Sequence, residues 1–171
     1  MMKKILLCVG LLAGLNAAAQ DFEGRFFQTK TLKVSGKTVK SEGTIRFTAP
    51  DQLTMLYTTP EGDYFIIDGD KVRMKLPGVK ADVDARNNKL ADQQRKALLN
   101  SMQGQYEQIA EDMDAECAVT AANGGKHVVL TIRKARPKSY TGMEMDYNAK
   151  GVLTRLVLEE YGGVSTEYIL Q

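Results

Sequence analysis

The sequence contains no tryptophan, one histidine and two cysteines. Each scarcity excludes something. A lone histidine, His127, cannot supply the paired imidazoles of the common zinc sites. It follows a Gly-Gly turn and opens a predicted strand, so a surface or strand-edge place is expected for it. Cys8 falls in an N-terminal leader, which leaves Cys117 alone and permits no internal disulfide. A single thiol in a strand is expected to serve as a small buried hydrophobe. There is no G-x-S-x-G and no phosphate-binding glycine loop. The acids Glu61, Asp63, Asp68 and Asp70 lie near turns, without the spacing of a calcium-binding helix-loop-helix. The chain is therefore expected to have no catalytic residues, no metal, no cofactor and no enzymatic activity.

The N-terminus has the three parts of an export signal. Met1-Met2-Lys3-Lys4 is basic, Ile5 to Leu15 is apolar, and Asn16 to Ala19 supplies small residues, so cleavage is expected after Ala19. The apolar run is too short for a span, which needs about 20 residues. Cleavage removes Lys3 and Lys4 and no acid. The whole chain carries 23 basic and 21 acidic residues, so its formal charge of +2 belongs to the leader. A neutral mature chain gives no footprint for nucleic acid. Residues 20–171 are expected to form one domain.

What remains alternates with the period of half-buried antiparallel strands. Lys71 to Leu76 places Val72, Met74 and Leu76 on one face and Lys71, Arg73 and Lys75 on the other. Val79 to Ala85, Ile45 to Thr48 and Leu53 to Thr58 repeat the pattern, with Leu56 out of phase. Tyr64 to Ile67 is a continuous apolar run, consistent with a strand covered on both faces. Asp68-Gly69-Asp70, Asn123-Gly124-Gly125, Asn148 to Gly151 and Gly162-Gly163 supply turn residues, and Pro50, Pro60 and Pro77 end runs. The count is ten or eleven strands in hairpins.

One segment, about residues 88–113, has the helical period instead. Leu99, Met102, Tyr106, Ile109 and Met113 are spaced for one face. Asn87 or Asn88 can cap its start, and Gly104 costs about 1 kcal/mol relative to Ala inside it, so a bend or break is expected there. The fold class is thus mainly β: a curved antiparallel sheet or unclosed barrel, with one long amphipathic helix over its concave side. One helix cannot cover so wide a sheet, so an unfilled apolar space follows. Its candidate lining is Ile45, Phe47, Leu53, Met55, Tyr57, Met74, Leu76, Met102, Ile109, Met143 and Met145. Methionine is deformable and suits a surface that accepts varied apolar partners. The basic run Arg133 to Lys138 offers a place for an acidic partner or for anionic lipid.

Several segments carry a resemblance. Phe22 to Gln28, Glu42 to Pro50, Leu53-Thr54-Met55, Tyr57 to Pro60 and Ile66 to Val72 resemble, in order and spacing, the opening strands of the LolA family of periplasmic lipoprotein carriers. The resemblance implies helices lying as a lid over a cavity for lipoprotein acyl chains, with Leu53 and Met55 at cavity positions. It also implies an inner-membrane lipoprotein-release transporter and an outer-membrane acceptor as partners. The family often has arginine before the first proline, as a latch on the lid; Ala49 stands there, and Arg46 has the opposite parity. Met55 replaces a family tryptophan and Arg73 an aromatic residue. The expected function is to hold acyl chains of lipoproteins, or free lipid, in the periplasm. The alternative is an envelope lipid-binding or sensor module that acts through a protein partner.

Overall fold

The computed structural model describes residues 20–171; the expected leader lies outside the described residues. The chain runs through β1 (Phe22–Leu32), β2 (Lys37–Thr48), β3 (Gln52–Thr59), β4 (Glu61–Asp68), β5 (Lys71–Leu76) and β6 (Val79–Asp84). A 3-10 turn (Ala85–Asn87) leads to α1 (Lys89–Met102) and α2 (Tyr106–Met113). The chain then returns through β7 (Ala115–Ala122), β8 (Gly125–Ile132), β9 (Tyr140–Tyr147), β10 (Leu153–Glu160) and β11 (Val164–Leu170).

All eleven strands form one antiparallel sheet in the order β6-β5-β4-β3-β2-β1-β11-β10-β9-β8-β7. The first and last strands meet at its centre, with Phe26 opposite Leu170 and Leu32 opposite Val164. Edge strands β6 and β7 are joined by the helices, so the sheet does not close on itself and the helical segment bridges its two open edges. The alternation that marked the strands also decides their faces. In β2, Ile45 and Phe47 are buried while Thr44 and Arg46 are exposed; in β3, Leu53, Met55 and Tyr57 are buried and Leu56 is exposed. Burying these inward rows against the helices is the main favourable term of the fold, at about 25 cal/mol per Å² of apolar surface.

Gly43 shows how tightly the sheet packs. A Cβ there would stand 2.0 Å from the Leu56 carbonyl oxygen and 2.8 Å from the Phe26 ring. No alanine fits without parting β2 from β3.

The helical segment is two helices rather than one. Asn88 caps α1, its side-chain oxygen accepting from the Ala91 amide at 3.0 Å. After Met102 the chain turns at Gly104, whose φ of +70° is left-handed and ends the helix. α2 restarts at Tyr106 and closes with Asp114 in the left-handed region. We expect Gly104→Ala to lower stability by about 1–2 kcal/mol in urea titrations, because alanine adopts that φ with strain. An unchanged midpoint would mean that the break carries no conformational demand.

Cys117 does not have the expected buried place. It is exposed. Its strand, β7, is the sheet's edge, paired only with β8, and Glu116 to Ala121 are all exposed. Period-2 alternation cannot distinguish an edge strand from one with neighbours on both sides. The strand β4 likewise differs from expectation, since Asp63 to Ile66 are only half-buried. His127 sits near the start of β8 on the outer face, its Nδ1 2.5 Å from Asp146. Asp146 also contacts Arg155, which holds Glu144 and Glu167 as well. This network knits β8 to β11 on the side away from the core.

Candidate functional site

The two helices divide the concave face. α2 packs on β7 and β8, while α1 touches β10. Between α1 and the rest of the sheet lies an apolar cavity of about 180 Å³. Its floor comes from Ile45 of β2, Leu53, Met55 and Tyr57 of β3, Phe65 of β4 and Val72, Met74 and Leu76 of β5. The far wall is Leu153, Leu156 and Leu158 of β10 with Leu170 of β11. The roof is Ala91, Leu98 and Met102 of α1.

Seven of the eleven expected lining residues are here: Ile45, Leu53, Met55, Tyr57, Met74, Leu76 and Met102. The other four are buried elsewhere in the core. Phe47 is fully buried, and Met143 and Met145 are buried on β9. Ile109 borders the separate cleft between α1 and α2. Parity put these residues on the inward face of their strands, but it does not tell which part of that face is packed core and which borders open space. Sequence reading missed Leu153, Leu156 and Leu158, the leucines of β10. Their every-other spacing from 156 to 158 was the available signal, and a bulge between Leu153 and Arg155 shifts the first out of phase.

One end of the cavity is lined by hydroxyls. Tyr57, Tyr140, Tyr168 and Thr166 gather there with Glu160. Tyr57 donates to the Gln28 side-chain oxygen at 2.8 Å and meets Phe26 edge-on at 4.9 Å. Burial pushes the Tyr57 phenol up to about 12. Burial also raises Tyr140 and Tyr168, aided by the Glu160 charge. The three phenols stay neutral at any physiological pH, so they present hydrogen bonds and no charge.

The lid is tied by four hydrogen bonds, three donated by α1 and its C-terminal cap and one accepted by α1. Arg95 donates to the Gly69 carbonyl at 3.0 Å and contacts Asp70 at 3.4 Å, both in the β4–β5 turn. Asp92, one turn earlier, holds the same guanidinium at 2.8 Å. Gln103 donates to the Pro50 carbonyl at 3.1 Å. Gln94 donates to the Lys138 carbonyl at 3.2 Å, and Tyr147 donates to the Ser101 carbonyl at 2.9 Å. Ala49 thus does not leave the lid untied: the arginine comes from the lid and the acceptor from a sheet turn. Arg46 stays outside, paired with Glu23 at 3.0 Å.

Removing the Arg95 ties should loosen α1. Arg95→Met keeps the aliphatic length and loses the charge-assisted bonds, each worth about 1.5–3 kcal/mol. Faster amide exchange is expected along Lys89–Met102 with little change in β8 and β9. Unchanged exchange in α1 would show that the other three bonds hold it alone.

The model of the family described as outer membrane lipoprotein carrier protein LolA matches residues 17–171. The chain belongs to the LolA family. The family's fold is a binding and carrier fold, generally non-enzymatic. Among solved structures, a LolA superfamily protein from Nitrosomonas europaea is 10% identical, with 90% of this chain and 85% of that one covered and a TM-score of 0.44. The MucA/MucB complex of Pseudomonas aeruginosa matches at 15% identity, 89% and 50% coverage and a TM-score of 0.43. Lipoprotein LppX of Mycobacterium tuberculosis matches at 12% identity, 87% and 84% coverage and a TM-score of 0.36. No curated protein matches the chain. Among the described residues, no helix is long and apolar enough to cross a membrane.

Proposed function

We propose that this LolA-family chain is a periplasmic carrier that holds acyl chains of lipoproteins, released by an inner-membrane transporter and passed to an outer-membrane acceptor. The observation that carries the reading is the apolar cavity roofed by a helix that side-chain hydrogen bonds tie to the sheet and its flanking turns. Transferring acyl chains into such a space is favourable by about 0.8 kcal/mol per CH₂ and needs no covalent step. The neutral tyrosines at one end suit the ester and amide groups where an acyl chain meets its head.

Size sets the mode of entry. A cavity near 150 Å³ holds a molecule such as benzene, so about 180 Å³ does not hold a full acyl chain. The lid must lift, and four hydrogen bonds are a tie that ligand binding can offset. The test is uptake of an acyl lipopeptide by the purified mature protein, read with amide exchange. Binding should come with deprotection of α1. Failure to take up any lipopeptide or lipid, together with a stably co-purifying protein partner, would favour a sensor module on the same fold.

A further inference from the structure

The end of the sheet beside the tyrosine-lined part of the cavity carries an unusual surface. β2 begins at Lys37 but pairs with β3 only from Glu42 onward. Its first five residues therefore run past the β3–β4 turn, by roughly 16 Å at about 3.3 Å per residue. The resulting β1–β2 hairpin holds Lys30, Lys33, Lys37 and Lys40 and no acid between residues 30 and 41. At its tip Val34 is 94% exposed, flanked by exposed Leu32 and Val39.

Two other loops join it. The Lys33 amide donates to the Gly163 carbonyl at 2.8 Å, which fixes the hairpin to the β10–β11 turn and its exposed Tyr161. The Tyr161 amide donates to the Ser139 carbonyl at 2.9 Å, which fixes that turn to the basic β8–β9 loop. Arg133 is engaged by Asp114 and Glu116, and Lys33 by Glu159. Among the described residues no carboxylate lies within 4.0 Å of Lys30, Lys37, Lys40, Lys134, Arg136 or Lys138. Lysines along an open strand edge also discourage edge pairing, but that role does not call for bare Val34 and Tyr161 among them.

We propose that these three loops form a docking face for an anionic lipid bilayer, with Val34 and Tyr161 entering the interface and the basic groups meeting head groups. This rests on the carrier reading and places its cavity against its source of lipid. Glu160 and Tyr140, which line the cavity, are each next in sequence to a residue of these loops, exposed Tyr161 and buried Ser139. Lys138 itself accepts the Gln94 bond from the lid. Docking would thus bring lipid to the end where α1 is tied to the β8–β9 loop.

The test uses mature protein and vesicles of 30% phosphatidylglycerol in phosphatidylcholine, or of pure phosphatidylcholine, in co-sedimentation. Binding is expected to the anionic vesicles alone. It should fall about fivefold per basic residue lost, hence more than tenfold in Lys37→Glu/Lys40→Glu, and weaken in 0.5 M salt. Val34→Asp should also reduce it, whereas Lys126→Glu/Lys150→Glu at the opposite end should not. These positions are exposed, and unchanged melting will confirm folding. No binding to anionic vesicles, or undiminished binding by both hairpin variants, would overturn the proposal. Binding only to native inner-membrane vesicles would replace lipid by a protein receptor. Soluble lipopeptide uptake, measured in parallel, keeps the two readings apart: uptake without docking defeats this inference alone, and docking without uptake defeats the carrier.

Discussion

Met55→Glu is expected to abolish acyl binding, with at least a hundredfold loss of affinity. Met55 lies on the cavity floor, buried to 6% exposure, opposite Ile45 and Phe65 in its neighbouring strands. A carboxylate there either stays charged in an apolar wall or takes up a proton, and both oppose an alkyl ligand. Because burying a carboxyl also costs stability, a second variant separates the effects. Ala91→Trp projects an indole from the lid into the same space and keeps it apolar. It should block binding while the protein melts within a few degrees of the parent. Tight acyl binding by both folded variants would place the ligand elsewhere.

The second large effect is on stability and leaves the cavity aside. Phe47 is fully buried yet does not line the cavity. Phe47→Ala should cost about 3–5 kcal/mol by lost burial and an unfilled hole. Met74, half-buried on the cavity wall, already faces empty space. Met74→Ala should cost less, about 1–2 kcal/mol, and should change acyl affinity instead. Chemical denaturation and probe titration of the two variants check this. If Phe47→Ala altered affinity selectively while Met74→Ala only unfolded the protein, the boundary between packed core and cavity would be misplaced.

The two halves of the molecule were not equally legible in the sequence. Strand faces follow from period-2 alternation, and Lys71 to Leu76 falls in the structure as it reads: Val72 buried, Met74 and Leu76 half-buried, the three basic residues outside. The helix start followed from Asn88. The break at Gly104 was legible from the glycine itself, although apolar spacing continues through it from Met102 to Tyr106. What no local pattern encodes is strand order. The meeting of β1 with β11 puts the first and last strands at the centre of the sheet and leaves β6 and β7 as edges, which exposes Cys117. The same order buries Met143 and Met145 on β9 and leaves Met55 and Met74 beside open space. The lid tie was not legible for a related reason: Arg95 lies off the apolar stripe of Leu99, Met102 and Tyr106, and only the tertiary fold brings the Gly69 carbonyl to it.

The account turns on whether the cavity holds lipid. The most direct measurement is native mass spectrometry of the mature protein isolated from its own envelope, with lipid competition. The account predicts a bound species of acyl-chain mass that added lipopeptide displaces and that Met55→Glu lacks. A ligand-free mass from that source, together with no uptake of added lipopeptide or free lipid, would contradict it.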